Sequence, residues 1–157
     1  MVDSVLPVYA RSKLCFERGE GSYMYTPEGE RYLDFAAGIA VNALGHSHPS
    51  LVDALVNQAQ RLWHVSNMYT IPNLNELGDK YVKHSFADTI FFCNSGTEAV
   101  ECGIKMIRKY HDDTGNPDKY RIITFTGAFH GRTMAAISAS NSSTMECSSN
   151  GWFWACA

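Results

Sequence analysis

An α/β architecture with parallel strands is what this sequence predicts, from one alternation that occurs twice. Residues 89–93 (Thr-Ile-Phe-Phe-Cys) and 121–125 (Arg-Ile-Ile-Thr-Phe) are short, apolar, β-prone runs, and each stops at a loop that contains glycine. Behind each loop the apolar residues return at helical spacing, which is the order of strand, tight turn and helix in a layered α/β domain. With 157 residues, 45% of them hydrophobic, the chain is long enough for one domain with a core.

The elements follow in order along the chain. Residues 21–35 read as a hairpin, because Tyr23-Met24-Tyr25 and Tyr32-Leu33-Asp34-Phe35 flank the turn-rich Thr26-Pro27-Glu28-Gly29-Glu30. From Ser47 the pattern becomes helical: Pro49 suits a first-turn position, and Leu51, Leu55, Ala59 and Leu62 line one face. A second helix is expected after Pro72, with Leu74, Leu77 and Tyr81 inward. A third follows Asn94-Ser95-Gly96, carried by Ala99, Val100, Gly103, Ile104 and Ile107, and a small-residue helix covers residues 134–139. Three regions result: an N-terminal segment with the hairpin over residues 1–48, an α/β part over 49–140, and a divergent tail over 141–157. In that tail Ser, Thr and Asn predominate until Trp152, Phe153 and Trp154, and neither period 2 nor period 3.6 is sustained.

Composition excludes several classes of function. A net charge of −3 and scattered basic residues leave no footprint for a phosphate backbone, so no nucleic-acid partner is expected. No run approaches the roughly 20 apolar residues of a membrane helix, and no basic stretch followed by an apolar one opens the chain, so a cytoplasmic protein without a membrane partner is expected. The five cysteines, Cys15, Cys93, Cys102, Cys147 and Cys156, have no paired spacing, which argues against a disulfide framework and against a zinc site. Asn141-Ser142-Ser143 fits a glycosylation sequon without a signal peptide to support it.

Two segments can carry chemistry. Asn94-Ser95-Gly96-Thr97-Glu98-Ala99 stands where a strand gives way to a helix, so the N–H groups of Gly96 and Thr97 can face a phosphate at the positive end of the helix dipole. Gly96 admits close approach, and the hydroxyls of Ser95 and Thr97 can add donors. Ser95-x-x-Glu98 is also a capping box that would satisfy amides with no ligand, and on this segment alone the cap is the first reading.

The second segment is Gly127-Ala128-Phe129-His130-Gly131-Arg132-Thr133, where Phe129 can stack on a planar ring and Arg132 can grip a carboxylate with both arms of its fork. A core phenylalanine and a surface ion pair would explain the same residues equally well. Both loops would leave the C-terminal edge of one parallel sheet, where ligands collect. Gly45-His46-Ser47-His48-Pro49 holds two alternating histidines, but with no third ligand at usable spacing it reads as a helix entry rather than a metal site. Tyr9 and Arg11 would reach a ligand only if their segment folded over the site.

Taken together, these residues resemble the class III, fold-type I aminotransferases that use pyridoxal 5'-phosphate, from about Pro7 to about Ser138. The segments that carry the likeness are Pro7-Val8-Tyr9-Ala10-Arg11, Arg18-Gly19-Glu20-Gly21, Tyr32-Leu33-Asp34-Phe35, residues 38–46 (Gly-Ile-Ala-Val-Asn-Ala-Leu-Gly-His), Asn94-Ser95-Gly96-Thr97-Glu98-Ala99 and Phe129-His130-Gly131-Arg132-Thr133. On that resemblance the fold would be the N-terminal segment and the first part of the large domain of a fold-type I transferase, truncated, with residues 49–140 as part of the pyridoxal-phosphate-binding domain.

The resemblance also implies roles. Gly96 and Thr97 match the positions whose amides hold the cofactor phosphate, with Ser95 beside them. Phe129 matches the residue that stacks on the pyridine ring, and Arg132 the contact to a substrate carboxylate. The reaction implied is transamination of an ornithine derivative, or of ornithine, with 2-oxoglutarate, in arginine biosynthesis, by a homodimer acting on a small-molecule amino-acid substrate. It needs a lysine that forms a Schiff base with the cofactor. None of Lys13, Lys80, Lys83, Lys105, Lys109 and Lys119 stands in the motif that supplies it, so no catalytic residue is assigned within these residues. A non-catalytic remnant or dimerisation fragment, and a phosphate-binding α/β domain unrelated to this cofactor, are the rival readings.

Overall fold

Three short strands open the computed structural model, which describes residues 4–140. They are β1 (Arg18–Glu20), β2 (Tyr23–Tyr25) and β3 (Arg31–Leu33), joined antiparallel in that order. The hairpin expected over residues 21–35 is present. Its loop closes where Thr26 N donates to Glu30 O at 3.0 Å and Gly29 N to Thr26 O at 3.0 Å, with Gly29 at φ 87°. Strand β1 carries little β propensity of its own and forms because β2 offers it a partner edge. The pairing sets Arg18 and Arg31 either side of Tyr25, and their guanidinium carbons stand 3.5 Å from the Tyr25 ring centre and 4.6 Å from that of Tyr23.

Asp34, just past the hairpin, ties the sheet to the loop that follows. Its amide donates to Ser22 O at 2.9 Å. Its Oδ1 accepts from the amides of Ala36 at 3.0 Å and Ala37 at 2.9 Å, and its Oδ2 meets His46 Nε2 at 2.8 Å. The backbone of His46 is in turn paired with Gly21, by bonds of 2.7 and 3.0 Å. The approach is close enough that a Cβ on Gly45, which sits at φ 79°, would lie 2.6 Å from the Gly21 carbonyl oxygen, and one on Gly19 would lie 2.5 Å from the His46 ring.

Between Asp34 and His46 lies α1 (Ala37–Ala40), a single turn whose φ values are 45°, 62°, 66° and 60°, all left-handed. Left-handed backbone costs roughly 1–2 kcal/mol at each residue that carries a Cβ, and for β-branched Ile39 it is a marked outlier. The Asp34 carboxylate offsets that strain by taking up the two amides that enter the turn.

The described residues gather into two compact units that divide between Ile71 and Pro72. The first ends with α2 (Pro49–Ala59), entered through Pro49 from an extended His48. The second holds α3 (Pro72–Lys83), α4 (Gly96–Asp113) and α5 (Met134–Ala139). The helices stand where apolar spacing puts them.

The strands expected at residues 89–93 and 121–125 are a correction: among the described residues neither belongs to a β ladder. A parallel strand exists only through hydrogen bonds to a neighbour and is normally covered on both faces. These two runs find neither, which leaves Phe91, Ile123 and Phe125 exposed. The apolar stripe of α2 is likewise uncovered, and so are Leu74, Leu77 and Tyr81 of α3, although Tyr81 meets Phe92 edge to face at 6.2 Å. Ala136 is the fully buried hydrophobic residue among those described. The tail expected to diverge, residues 141–157, and its sequon lie outside them.

Two outcomes test the Asp34 and Gly45 junction. Gly45→Ala is expected to lower stability by at least about 1 kcal/mol, since it adds left-handed strain to a backbone collision, measured by urea unfolding of the full chain. The amides and imidazole around Asp34 hold its carboxyl below the usual carboxylate range, with the bond to His46 as the largest cause. A depressed folded pKa contributes stability that is present above the unfolded value, near 4, and lost as pH falls through the folded one. Asp34→Asn is therefore expected to flatten acid unfolding below about pH 4 in circular dichroism, relative to the parent chain.

Candidate functional site

The start of α4 is built as a reciprocal cap. Ser95 is extended, at φ −154° and ψ 159°, and its Oγ accepts from Glu98 N at 3.3 Å. The Glu98 carboxylate reaches back to accept from Asn94 N at 2.8 Å and Asn94 Nδ2 at 3.2 Å. Ala99 N donates to Ser95 O at 3.1 Å. An α-helix leaves its first four amides without intrahelical acceptors. Here the helical ladder begins at Ala99, the side-chain cap takes the amide of Glu98, and the amides of Gly96 and Thr97 donate to no protein group among the described residues.

The two readings of this segment are compatible, because capping and anion binding use different amides. Gly96 has open space where a Cβ would be, so an anion can reach the backbone. Eighteen residues of helix stand behind it, with their dipole directed at the same point. Ser95 Oγ uses a lone pair on Glu98 and keeps its O–H to donate.

The second loop lies against this helix. Gly131, at φ 127°, touches Thr97 so closely that a Cβ would overlap the Thr97 hydroxyl and stand 2.9 Å from Thr97 Cβ. Two further bonds hold the loop: His130 N donates to Ser140 Oγ at 2.9 Å, and the Thr133 hydroxyl bonds the Glu101 carboxylate. Phe129, 63% exposed, precedes those ties and the exposed Arg132 lies between them, with the guanidinium carbon 5.9 Å from the Phe129 ring centre.

The structure thus brings Ser95, Gly96 and Thr97 together with the loop that carries Phe129 and Arg132. Glu101 was missed by sequence reasoning, although its i, i+4 relation to Thr97 places it on the same face of the helix. His46 is held by Asp34 and His48 enters α2, which fits the helix-entry reading of that pair. The guanidinium of Arg11 lies 5.6 Å from the Tyr9 ring, in the N-terminal unit.

Residues 7–152 match the family model described as aminotransferase class-III. The chain belongs to that family. It is 55% identical over 142 residues to an acetylornithine aminotransferase of Agrobacterium fabrum, across 88% of this chain and 36% of that protein. Among solved structures it resembles an N-acetylornithine aminotransferase from Stenotrophomonas maltophilia K279a, with a TM-score of 0.72 and 46% identity over 78% of this chain and 34% of the other. It also resembles a PLP-bound aminotransferase mutant from Vibrio fluvialis, with a TM-score of 0.77 and 31% identity over 85% and 30% of the two chains. The chain spans about a third of the length of these relatives, and its fold is a part of the α/β fold of pyridoxal-phosphate-dependent transaminases. The family match runs past Ser138, where the likeness was expected to end.

Gly96→Pro isolates the amide contribution. Proline is tolerated in the first turn of a helix, and the extended Ser95 is what it requires of its predecessor. Helix content in circular dichroism is expected to stay unchanged, while calorimetric affinity for inorganic phosphate falls about tenfold on loss of one charge-assisted donor.

Proposed function

We propose that this chain supplies the phosphate cradle, the ring contact and a carboxylate contact of a transaminase that moves the terminal amino group of acetylornithine, or of ornithine, to 2-oxoglutarate. The single observation that carries the reading is the pair of amides, Gly96 and Thr97, that the capping box leaves over at the N-terminus of α4. The residues present suit pyridoxal phosphate, because those amides match a phosphate and the exposed Phe129 matches an aromatic ring. When bound, the cofactor supplies the electron sink that amino transfer requires.

Each residue has a definite part in this reading. Gly96 and Thr97 hold the phosphate through N–H donors, and Ser95 adds its hydroxyl. Phe129 lays its face on the ring and restricts its tilt. Arg132 receives a substrate carboxylate in two parallel N–H···O bonds, which fix the substrate's direction as well as its place. Arginine biosynthesis, a cytoplasmic setting and a homodimeric whole protein belong to the same proposal, supported by the acetylornithine aminotransferases among the relatives.

A reading of these residues as a binding part without turnover has its own support: none of the six lysines stands in the motif of the family's nucleophile. The family match removes the alternative of an unrelated phosphate-binding domain. The purified chain is expected to take up pyridoxal phosphate, to release it on dialysis after borohydride treatment, and to show no acetylornithine turnover above free cofactor. Absorbance spectroscopy and a coupled glutamate assay read these. Absence of uptake would remove the cradle assignment, and turnover that survives removal of host enzyme would remove the non-catalytic one.

A further inference from the structure

We propose that Glu101 is a positioning residue of the cofactor site: by accepting from the Thr133 hydroxyl it sets how Phe129 and Arg132 stand relative to the amides of Gly96 and Thr97. The proposal rests on the roles given to those four residues above, and it adds a group outside them.

Thr97 and Glu101 are one turn apart on one face of α4, about 6 Å along its axis at 1.5 Å per residue. Each holds one point of the loop: Gly131 rests on the Thr97 side chain, and Thr133 bonds the Glu101 carboxylate. Arg132 lies between these two points. A van der Waals contact such as that of Gly131 with Thr97 has no direction and would let the loop turn about it. A hydrogen bond two residues away supplies the direction, and a helix backbone is a rigid base for both anchors.

The use of Thr133 is a second, independent sign. It occupies the N-cap position of α5, at φ −76° and ψ 163°, where a threonine hydroxyl normally accepts from an amide of its own helix. It makes no such bond, and its hydroxyl is turned to donate to Glu101. A cap is worth more to a six-residue helix than one more surface bond, so the geometry favours register of the loop over stability of α5. The remaining tie, His130 N to Ser140 Oγ, closes the loop on its own helix and leaves its placement on α4 to Glu101 and Thr97.

The test uses the full 157-residue chain with Glu101→Ala, Glu101→Gln, Thr133→Val and Thr133→Ser. Loss of one hydrogen bond to a carboxylate at a partly exposed site predicts a rise of roughly five- to tenfold in the dissociation constant of pyridoxal phosphate for Glu101→Ala and Thr133→Val. The visible circular dichroism induced in the bound cofactor, which reports a fixed ring, is expected to shrink with it, while affinity for inorganic phosphate stays within about twofold of the parent. Glu101→Gln and Thr133→Ser, which keep an acceptor and a hydroxyl, are expected to restore both signals. Pairing Glu101→Ala with Thr133→Val should add nothing beyond either alone. Unchanged cofactor affinity in the Ala and Val variants, failure of the conservative pair to restore it, or an equal fall in phosphate affinity would overturn the proposal. If the parent chain takes up no pyridoxal phosphate, the site reading itself fails, and amide exchange over residues 128–133 then decides: faster exchange in Glu101→Ala supports the tie, and unchanged exchange overturns it.

Discussion

The geometry of the C-terminal unit depends on how α4 disposes of its first amides. A helix end has more donors than its own carbonyls can use, and each must find water, a side chain or a ligand. Ser95 and Glu98 together cap the entry and fix the angle at which the chain arrives. Because the cap is built from positions 95 and 98, the amides between them are left together, parallel and accessible. The cap is complete without a ligand and leaves the amides of Gly96 and Thr97 available to one.

A comparable constraint shapes the N-terminal unit. One carboxylate, that of Asp34, holds two amides and an imidazole, and through them it stabilises a left-handed turn that Ala37, Ile39 and Ala40 would not adopt alone. Gly19 and Gly45 leave room for the His46 ring and the Gly21 backbone to approach as closely as this arrangement requires. Strain in one segment is thus offset by polar bonds and close packing in the next.

Helices and turns were legible because their causes are local. Pro49 and Pro72 mark first turns, Ser95 and Glu98 mark a cap, and Thr26 to Glu30 mark a hairpin loop within a few residues. The ladders at residues 89–93 and 121–125 were over-read, since β propensity describes what a segment can do when a neighbour is present and says nothing about whether one is. The turn over Ala37–Ala40 could not be foreseen, because only Gly38 admits positive φ readily and Ala37, Ile39 and Ala40 give no signal of it. Its cause is a carboxylate upstream and a histidine that follows. The open amides of Gly96 and Thr97 were foreseeable from the same residues as the cap, whereas the bond of Glu101 to Thr133 was hidden by the ordinary place of Glu101 on an amphipathic helix.

What these groups can do follows from their chemistry. Amides at a helix end, an aromatic face and a guanidinium hold, orient and neutralise charge, and none of them forms a bond to the reacting atoms. Binding energy taken from a phosphate far from the reacting carbon is available in the ground state as much as in the transition state, so by itself it brings reactants together without lowering the barrier to proton transfer. Orientation changes that. On the proposed roles, Phe129 would restrict the tilt of a bound aromatic ring and Arg132 would fix the direction of a substrate carboxylate, so that together they would orient the substrate. On that reading the loop that carries both residues and rests on Thr97 and Glu101 would matter more than its single hydrogen bond suggests, since an ångström of slack between phosphate and guanidinium would loosen that orientation.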